Sequence, residues 1–195
     1  MDFPWYVRPD DTAGIEQGDF LFGFTTIKEG LVKPELEEGQ QPTAIKGIPT
    51  KNNLIIISHT CDIEDGTLEA VGYIQLLPVY SFPDFVRNTK TTKGNQGYIF
   101  EDKKIGVHLL EKCDFEGFPT GHFVIDFMDL RVAPLQEVKN FLQNDSSGKR
   151  LRLSTPYLEK MTQRFAHVYM RVGLPEKLIP PEKMDPPTDS TVTPR

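Results

Sequence analysis

Ser58-His59-Thr60-Cys61-Asp62 sets a hydroxyl, an imidazole, a second hydroxyl, a thiol and a carboxylate side by side. These are the groups that shuttle protons and attack electrophilic centres. His59 and Cys61 are two positions apart, which on an extended strand puts them on one face and within reach of each other. The chemistry this spacing would perform is nucleophilic attack by the Cys61 thiol, activated by His59, His108 or His122, with Asp62 orienting the imidazole. The structural alternative is simpler. Cys61 is then a small buried hydrophobe, Asp62 caps the turn at Glu64-Asp65-Gly66, and Ser58 and Thr60 satisfy backbone groups where a strand ends. Lone cysteines are usually just packed, so the structural alternative is the default.

No metal and no cofactor is expected. His59-x-Cys61 supplies two ligands, no CxxC exists, and a zinc shell would need His108, Cys113 or His122 as well. Two cysteines are too few for a disulfide framework. Cys113-Asp114 repeats Cys61-Asp62, but a dipeptide is too short to be a repeat. His122, just ahead of Phe123-Val124-Ile125-Asp126, reads as a strand-end residue rather than a general base.

The elements that would position these groups can be read from pattern. Gly18-Asp19 opens a first strand with aromatic residues at alternate positions, Phe20, Phe22 and Phe24. Residues 28–53 read as a long polar loop. Leu54–Ile57 is a fully buried strand, since its residues fit a pleat and the run is too short for a helix. A turn and a second apolar run, Ala70–Val79, complete a hairpin-like unit. Residues 84–97 read as a second exposed loop. Short strands are expected at Gly97–Phe100, Val107–Leu110, His122–Asp126 and Leu130–Ala133, a spacing that suggests a small barrel or strongly bent sheet.

The C-terminal third changes character. Leu135, Val138, Phe141 and Leu142 keep helical spacing, and Asn144-Asp145-Ser146-Ser147-Gly148 breaks the chain. Leu158, Met161, Phe165, Val168 or Tyr169, and Val172 give a second helix over 156–172, with Thr155 as its cap, Pro156 at its first position and Gly173 and Pro175 beyond its end. The organisation is therefore a lead-in over 1–17 anchored by Trp5 and Tyr6, a β-domain over 18–133, a helical subdomain over 134–178 and a disordered tail over 179–195.

The formal net charge is −6, which speaks against a dedicated nucleic-acid binder. Residues 146–178 reverse that balance. Lys149, Arg150, Arg152, Lys160, Arg164, Arg171 and Lys177 could form a basic surface, with Arg164 and Arg171 on one helix face to bind phosphate or a carboxylate. The plainer reading is a helix face docking on an acidic body. No apolar stretch is long enough to span a bilayer, and Met1-Asp2-Phe3-Pro4-Trp5 has neither the basic start nor the apolar run of a secretory signal, so a cytoplasmic protein is expected.

Gly18-Asp19, Ile55-Ile56-Ile57-Ser58 and Leu76-Leu77-Pro78, in that order, resemble the SH3-like barrel of the PemK/MazF toxins over about residues 18–130. The resemblance implies a small, partly open SH3-like β-barrel; with the two helices read above packed against it, the expected fold class is α+β. Ser58-His59-Thr60-Cys61-Asp62-Ile63 with Met170-Arg171-Val172-Gly173-Leu174-Pro175 is also similar to a family of uncharacterised bacterial proteins, which implies no activity. The PemK/MazF ribonucleases hold the scissile phosphate with an Arg preceding a Pro before the aliphatic strand and a Thr or Ser just after the third strand's Pro. Here Asn52-Asn53 precede Leu54, and Val79-Tyr80 follow Pro78 before Ser81. Lys51 could replace the cation, but an amine lacks the bidentate fork of a guanidinium.

Two functions follow as expectations. One is a non-catalytic binding module of a bacterial toxin-like, phage-related or defence system, engaging a protein or RNA partner through Lys51, Arg164 and Arg171. The other is a divergent endoribonuclease or Cys/His hydrolase centred on His59, Cys61 and Asp62. Edge strands of an open barrel would also allow a homodimer.

Overall fold

Apolar residues follow one another without alternation in Leu54-Ile55-Ile56-Ile57 because the segment is buried on both sides. Ile55 and Ile57 enter one hydrophobic cluster, Leu54 and Ile56 another. A computed structural model describes residues 3–10, 12–30, 46–64, 66–144 and 150–170. In chain order its elements are β1 (Tyr6–Val7), β2 (Phe20–Gly30), β3 (Lys46–Ile56), α1 (Thr60–Glu64), α2 (Thr67–Val71), β4 (Tyr73–Ser81), α3 (Phe82–Thr89), α4 (Lys93–Phe100), β5 (Val107–Cys113), β6 (Gly121–Asp126), β7 (Arg131–Pro134), α5 (Leu135–Asn144), β8 (Arg152–Leu153) and α6 (Tyr157–Tyr169). The fold is α+β. A six-stranded antiparallel sheet runs β2-β3-β4-β6-β5, with β7 also on β4, and β1 pairs with β8.

β4 is central and changes partner along its length. Tyr73–Leu76 pair with β7, and Val79–Ser81 pair with β6. Pro78, which has no N–H to donate, sits at the changeover. Between β6 and β7 Phe127 stays buried in the core while Met128 is exposed. The Asp126 carboxylate accepts from the Met128 N–H at 2.9 Å, and Arg131 grips Asp129 through Nε at 3.1 Å and Nη2 at 2.5 Å.

A second bulge decides which core each aromatic of β2 enters. Register with β3 shifts between Leu21 and Phe24, where Gly23 has φ +75° and donates its N–H to Asn53 Oδ1 at 3.0 Å. Phe20 and Phe22 pack in the first cluster, whereas Phe24 joins Leu21 in the second. The expected alternation of Phe20, Phe22 and Phe24 on one face is thus corrected, because one extra residue flips everything after it.

The first cluster is covered by α6, β1 and β8 through Met161, Phe165, Tyr6, Leu151 and Leu153, so the lead-in and the C-terminal segment share a core with the strands. The second is covered by Leu135, Val138 and Phe141 of α5 and by Ile63 of α1. A third, smaller one puts Phe85 of α3 and Ile99 of α4 on Val107 and Val124.

Several sequence expectations need correction. Both ends of the polar loop expected over 28–53 belong to long strand arms, Thr25–Gly30 paired with Lys46–Lys51; residues 31–45 lie outside the described residues. The loop over 84–97 is occupied by α3 and α4, and the strand expected at Gly97–Phe100 is the end of α4. Ser81 caps α3, its Oγ accepting from the Asp84 N–H at 3.2 Å. The turn at Glu64-Asp65-Gly66 lies between α1 and α2, and Asp65 is outside the described residues. Helix α6 forms where expected, but Thr155 bonds the Glu159 carboxylate at 2.8 Å instead of capping the amides. The break at Asp145–Gly148, the stop signals Gly173 and Pro175, Arg171 and the 179–195 tail all lie outside the described residues. Among those described, no helix is long and apolar enough to cross a membrane.

Candidate functional site

Where β3 ends, the chain turns at Ile57–His59 into α1, so His59 and Cys61 are not on one strand face. His59 precedes the helix and Cys61 is in its first turn. The Cys61 N–H donates to His59 Nδ1 at 3.2 Å. That bond uses Nδ1 as an acceptor and leaves the ring proton on Nε2, a tautomer that does not take the Cys61 thiol proton through Nδ1. His59, Cys61 and Asp62 are all exposed.

The two hydroxyls are also engaged. Ser58, buried, accepts the Gln75 N–H at 2.9 Å, and Thr60 Oγ1 accepts the Gln17 N–H at 3.1 Å. Gln17 Nε2 closes the turn by donating to the Ile57 carbonyl at 2.7 Å. Three neighbouring polar side chains therefore each satisfy an amide that the end of the strand leaves open. Asp62 lies in the first turn of α1, favourable to the helix dipole. A cleft of about 450 Å³ opens beside this turn, lined by Ser58, His59, Asp62, Tyr73, Gln75 and Val132 among others.

The expected binding cations fare differently from one another. Lys51 is exposed on β3 opposite Thr25. Its neighbours Asn52 and Asn53 hold Thr26 Oγ1, at 2.8 Å, and the Gly23 N–H. Arg164 is half-buried and turned inward. It donates to the carbonyls of Asp102 at 2.6 Å, Lys104 at 3.0 Å and Val107 at 3.1 Å, and pairs with the Asp102 carboxylate at 2.8 Å. The guanidinium expected to bind a partner therefore makes these contacts within the chain. Lys160 reaches the same Asp102 at 3.2 Å.

Arg150 and Arg152 converge on Asp19, which is 1% exposed. Arg152 Nε and Nη2 hold its two carboxylate oxygens at 2.6 and 3.0 Å, and Arg150 Nη2 adds a third bond at 2.7 Å. Burial works against the charge on Arg152, but the carboxylates of Asp19 and Glu16 together outweigh it and raise the guanidinium pKa. The basic segment therefore docks on the body and is not, at these positions, a free surface.

The remaining histidines and thiol do not join Cys61. His108 is fully buried, stacked on Phe127, with Nδ1 3.4 Å from Asp102 Oδ1 and neither ring nitrogen in a completed hydrogen bond. Burial pushes its pKa down to about 4 against the upward pull of Asp102. His122 pairs with Glu111 at 3.1 Å across the β5–β6 ladder. Cys113 is buried in the first cluster, where desolvation raises its thiol pKa. Among the described residues no group of three or more His, Cys, Asp or Glu is placed to hold a metal ion.

A wider cleft, of about 640 Å³, was not legible as a site. It is lined by Phe24–Ile27 of β2, by Asp129–Pro134 through β7, and by Glu137 of α5. The lining residues are consecutive in both strands. A sheet face presents every second residue, so both strands meet this cleft edge-on. Among the described residues, none of β3 or β4, which lie between them in the sheet, takes part. The sheet therefore bends until its β2 and β7 borders face each other across a gap. Ile27 and Val132, two β-branched side chains at its borders, are left exposed by the fold. No protein-family model matches the chain, and neither a curated protein nor a solved structure is significantly similar to it.

Proposed function

We propose that the protein is a non-catalytic binding module of a bacterial toxin-like, phage-related or defence system. It is built on an SH3-like sheet of the PemK/MazF type and works in the cytoplasm by holding a protein partner. One observation carries this reading. Ser58, His59 and Thr60 are each engaged by a backbone amide, whereas the β2 and β7 edges border an open cleft. A protein suits better than RNA, since Arg150, Arg152 and Arg164 hold internal carboxylates and carbonyls and the chain is net acidic. The ribonuclease reading is further weakened at Ser81, whose hydroxyl donates to Asp84 Oδ2 at 2.6 Å as part of a helix cap. What favours the hydrolase alternative is the exposed Cys61 thiol next to His59.

Turnover assays separate the two. Wild-type protein, Cys61→Ala and His59→Ala are incubated with single-stranded RNA and with an activated ester. The binding reading expects all three to match the background rate. A wild-type rate that drops tenfold or more in either variant, with the melting temperature unchanged, would replace it with the enzyme reading.

A further inference from the structure

Building on the binding-module reading, we infer that the gap between β2 and β7 takes an extended basic peptide segment of a partner protein as an added strand. The argument begins with main-chain groups. In a two-stranded ladder every second residue turns its N–H and C=O away from its partner. β2 is paired only with β3 along Phe24–Ile27, and β7 only with β4, so among the described residues both edges present such groups to the gap. β2, β3, β4 and β7 are successively antiparallel, which makes β2 and β7 run in opposite directions. A strand placed between them is antiparallel to one and parallel to the other, and completes a ring of five.

The length and the side chains narrow the occupant. Phe24–Ile27 and Arg131–Pro134 offer four residues each, roughly 13 Å of extended chain. On the inner side Phe24 and Ala133 are buried; on the outer side Ile27 is 75% exposed and Val132 is 62% exposed. An aliphatic residue of the incoming strand would cover those two, as cross-strand β-branched pairs do. Three charged residues line the gap, Asp129, Arg131 and Glu137. Asp129 and Arg131 neutralise each other at 2.5 Å, which leaves the Glu137 carboxylate to be met by a lysine or arginine. Edge strands that must stay single are ordinarily guarded by Lys or an inward charge. Phe24-Thr25-Thr26-Ile27 carries no charge, and Pro134 blocks only the end of β7.

The test uses the full chain and a labelled six-residue peptide of alternating lysine and valine, acetylated and amidated, read by fluorescence anisotropy. Saturable binding is expected. N-methylation of alternate peptide bonds should weaken it about tenfold, since it removes the donors that join the edges. An alternating glutamate–valine peptide should bind more weakly than the lysine one, and Glu137→Gln should cost the lysine peptide about threefold at low salt. Val132→Lys should abolish binding with the melting temperature unchanged, and the peptide should protect the amides of Phe24–Ile27 and Arg131–Ala133 from exchange.

No saturation, equal binding of the N-methylated peptide, or binding indifferent to Val132→Lys would each overturn the inference. So would self-association of the chain that Val132→Lys disrupts while the peptide fails to compete, since the occupant is then a second copy. If the peptide fails and the turnover assays stay at background, the strand-addition inference falls and the binding-module reading stands. Cys61- or His59-dependent turnover removes the reading beneath both.

Discussion

At its start β2 is held from both sides. Asp19 bridges to Arg152, the Phe20 N–H donates to the Leu151 carbonyl at 2.9 Å, and the Leu153 N–H donates to the Gly18 carbonyl at 3.0 Å. Along Phe24–Ile27 the same strand borders the cleft, with no further strand paired to it on that side among the described residues. The closed flank absorbs the charges that a sequence reader would assign to a partner, and Arg164 shows the same habit by gathering three carbonyls beneath α6. The open flank carries few reactive side chains. What the pair teaches is that the chemically versatile residue types of this fold are spent on internal contacts, while the strand edge that borders an open cleft carries few of them.

The largest effect should come from opening the closed flank. Asp19→Ala leaves two largely buried guanidiniums facing each other, and should lower the unfolding free energy by about 3–5 kcal/mol in urea titration. Replacing all three charges together, Asp19→Leu with Arg150→Met and Arg152→Met, should recover much of that loss. A triple variant as unstable as the single one would mean that the flank depends on more than charge pairing.

Acid should strain the interior of β5 next, where His108 stacks on Phe127 beside Asp102. His108 is held neutral with a pKa of about 4, while an imidazole in the unfolded chain titrates near ~6.5. Between these values the unfolded state binds the extra proton, so stability is whole above pH ~6.5 and falls as pH drops toward 4. The loss should reach about 3 kcal/mol at pH 4. His108→Leu should remove that limb of the pH–stability curve, and an unchanged curve would place the acid sensitivity elsewhere.

The smallest effect belongs to the open flank. Val132→Thr and Ile27→Thr should each stay within about 0.5 kcal/mol of wild type in the same titration, since both side chains are exposed. A loss of 2 kcal/mol would show that the gap is already packed, and would erase the distinction between the two flanks.

Much of the closed architecture was legible before coordinates. Leu54–Ile57 announced a strand buried on both faces, and Leu158, Met161 and Phe165 announced α6, because dense apolar runs and helical spacing are local signals. Ser81-Phe82-Pro83-Asp84 holds a local helix signal that went unread, a capping serine with a proline in the first turn, because the glycines and polar residues after Thr89 made 84–97 look like loop. The strand arms Thr25–Gly30 and Lys46–Lys51 were missed because exposed strands need little apolar content. For the candidate site the limit was different in kind. Residue types near His59 were visible, but whether Nδ1 was already engaged depends on the turn into α1. The fate of Arg164 depends on a partner 62 residues away, and the facing of β2 and β7 depends on the bend of the entire sheet.

The span between Asp19 and Arg152, 133 residues, also bears on how the chain comes into being. A ribosome adding ~5–20 residues per second takes roughly 7–27 s to pass from the acid to its guanidinium. Throughout that interval the carboxylate stays in water, where leaving it costs nothing, and the beginning of β2 has no reason to settle. The hairpin that β2 forms with β3 can assemble early from its distal arms, but its base locks only after Arg152 and Leu153 have emerged. Truncations that stop before Arg150 should therefore remain open, protease-sensitive chains, however much of the sheet they encode.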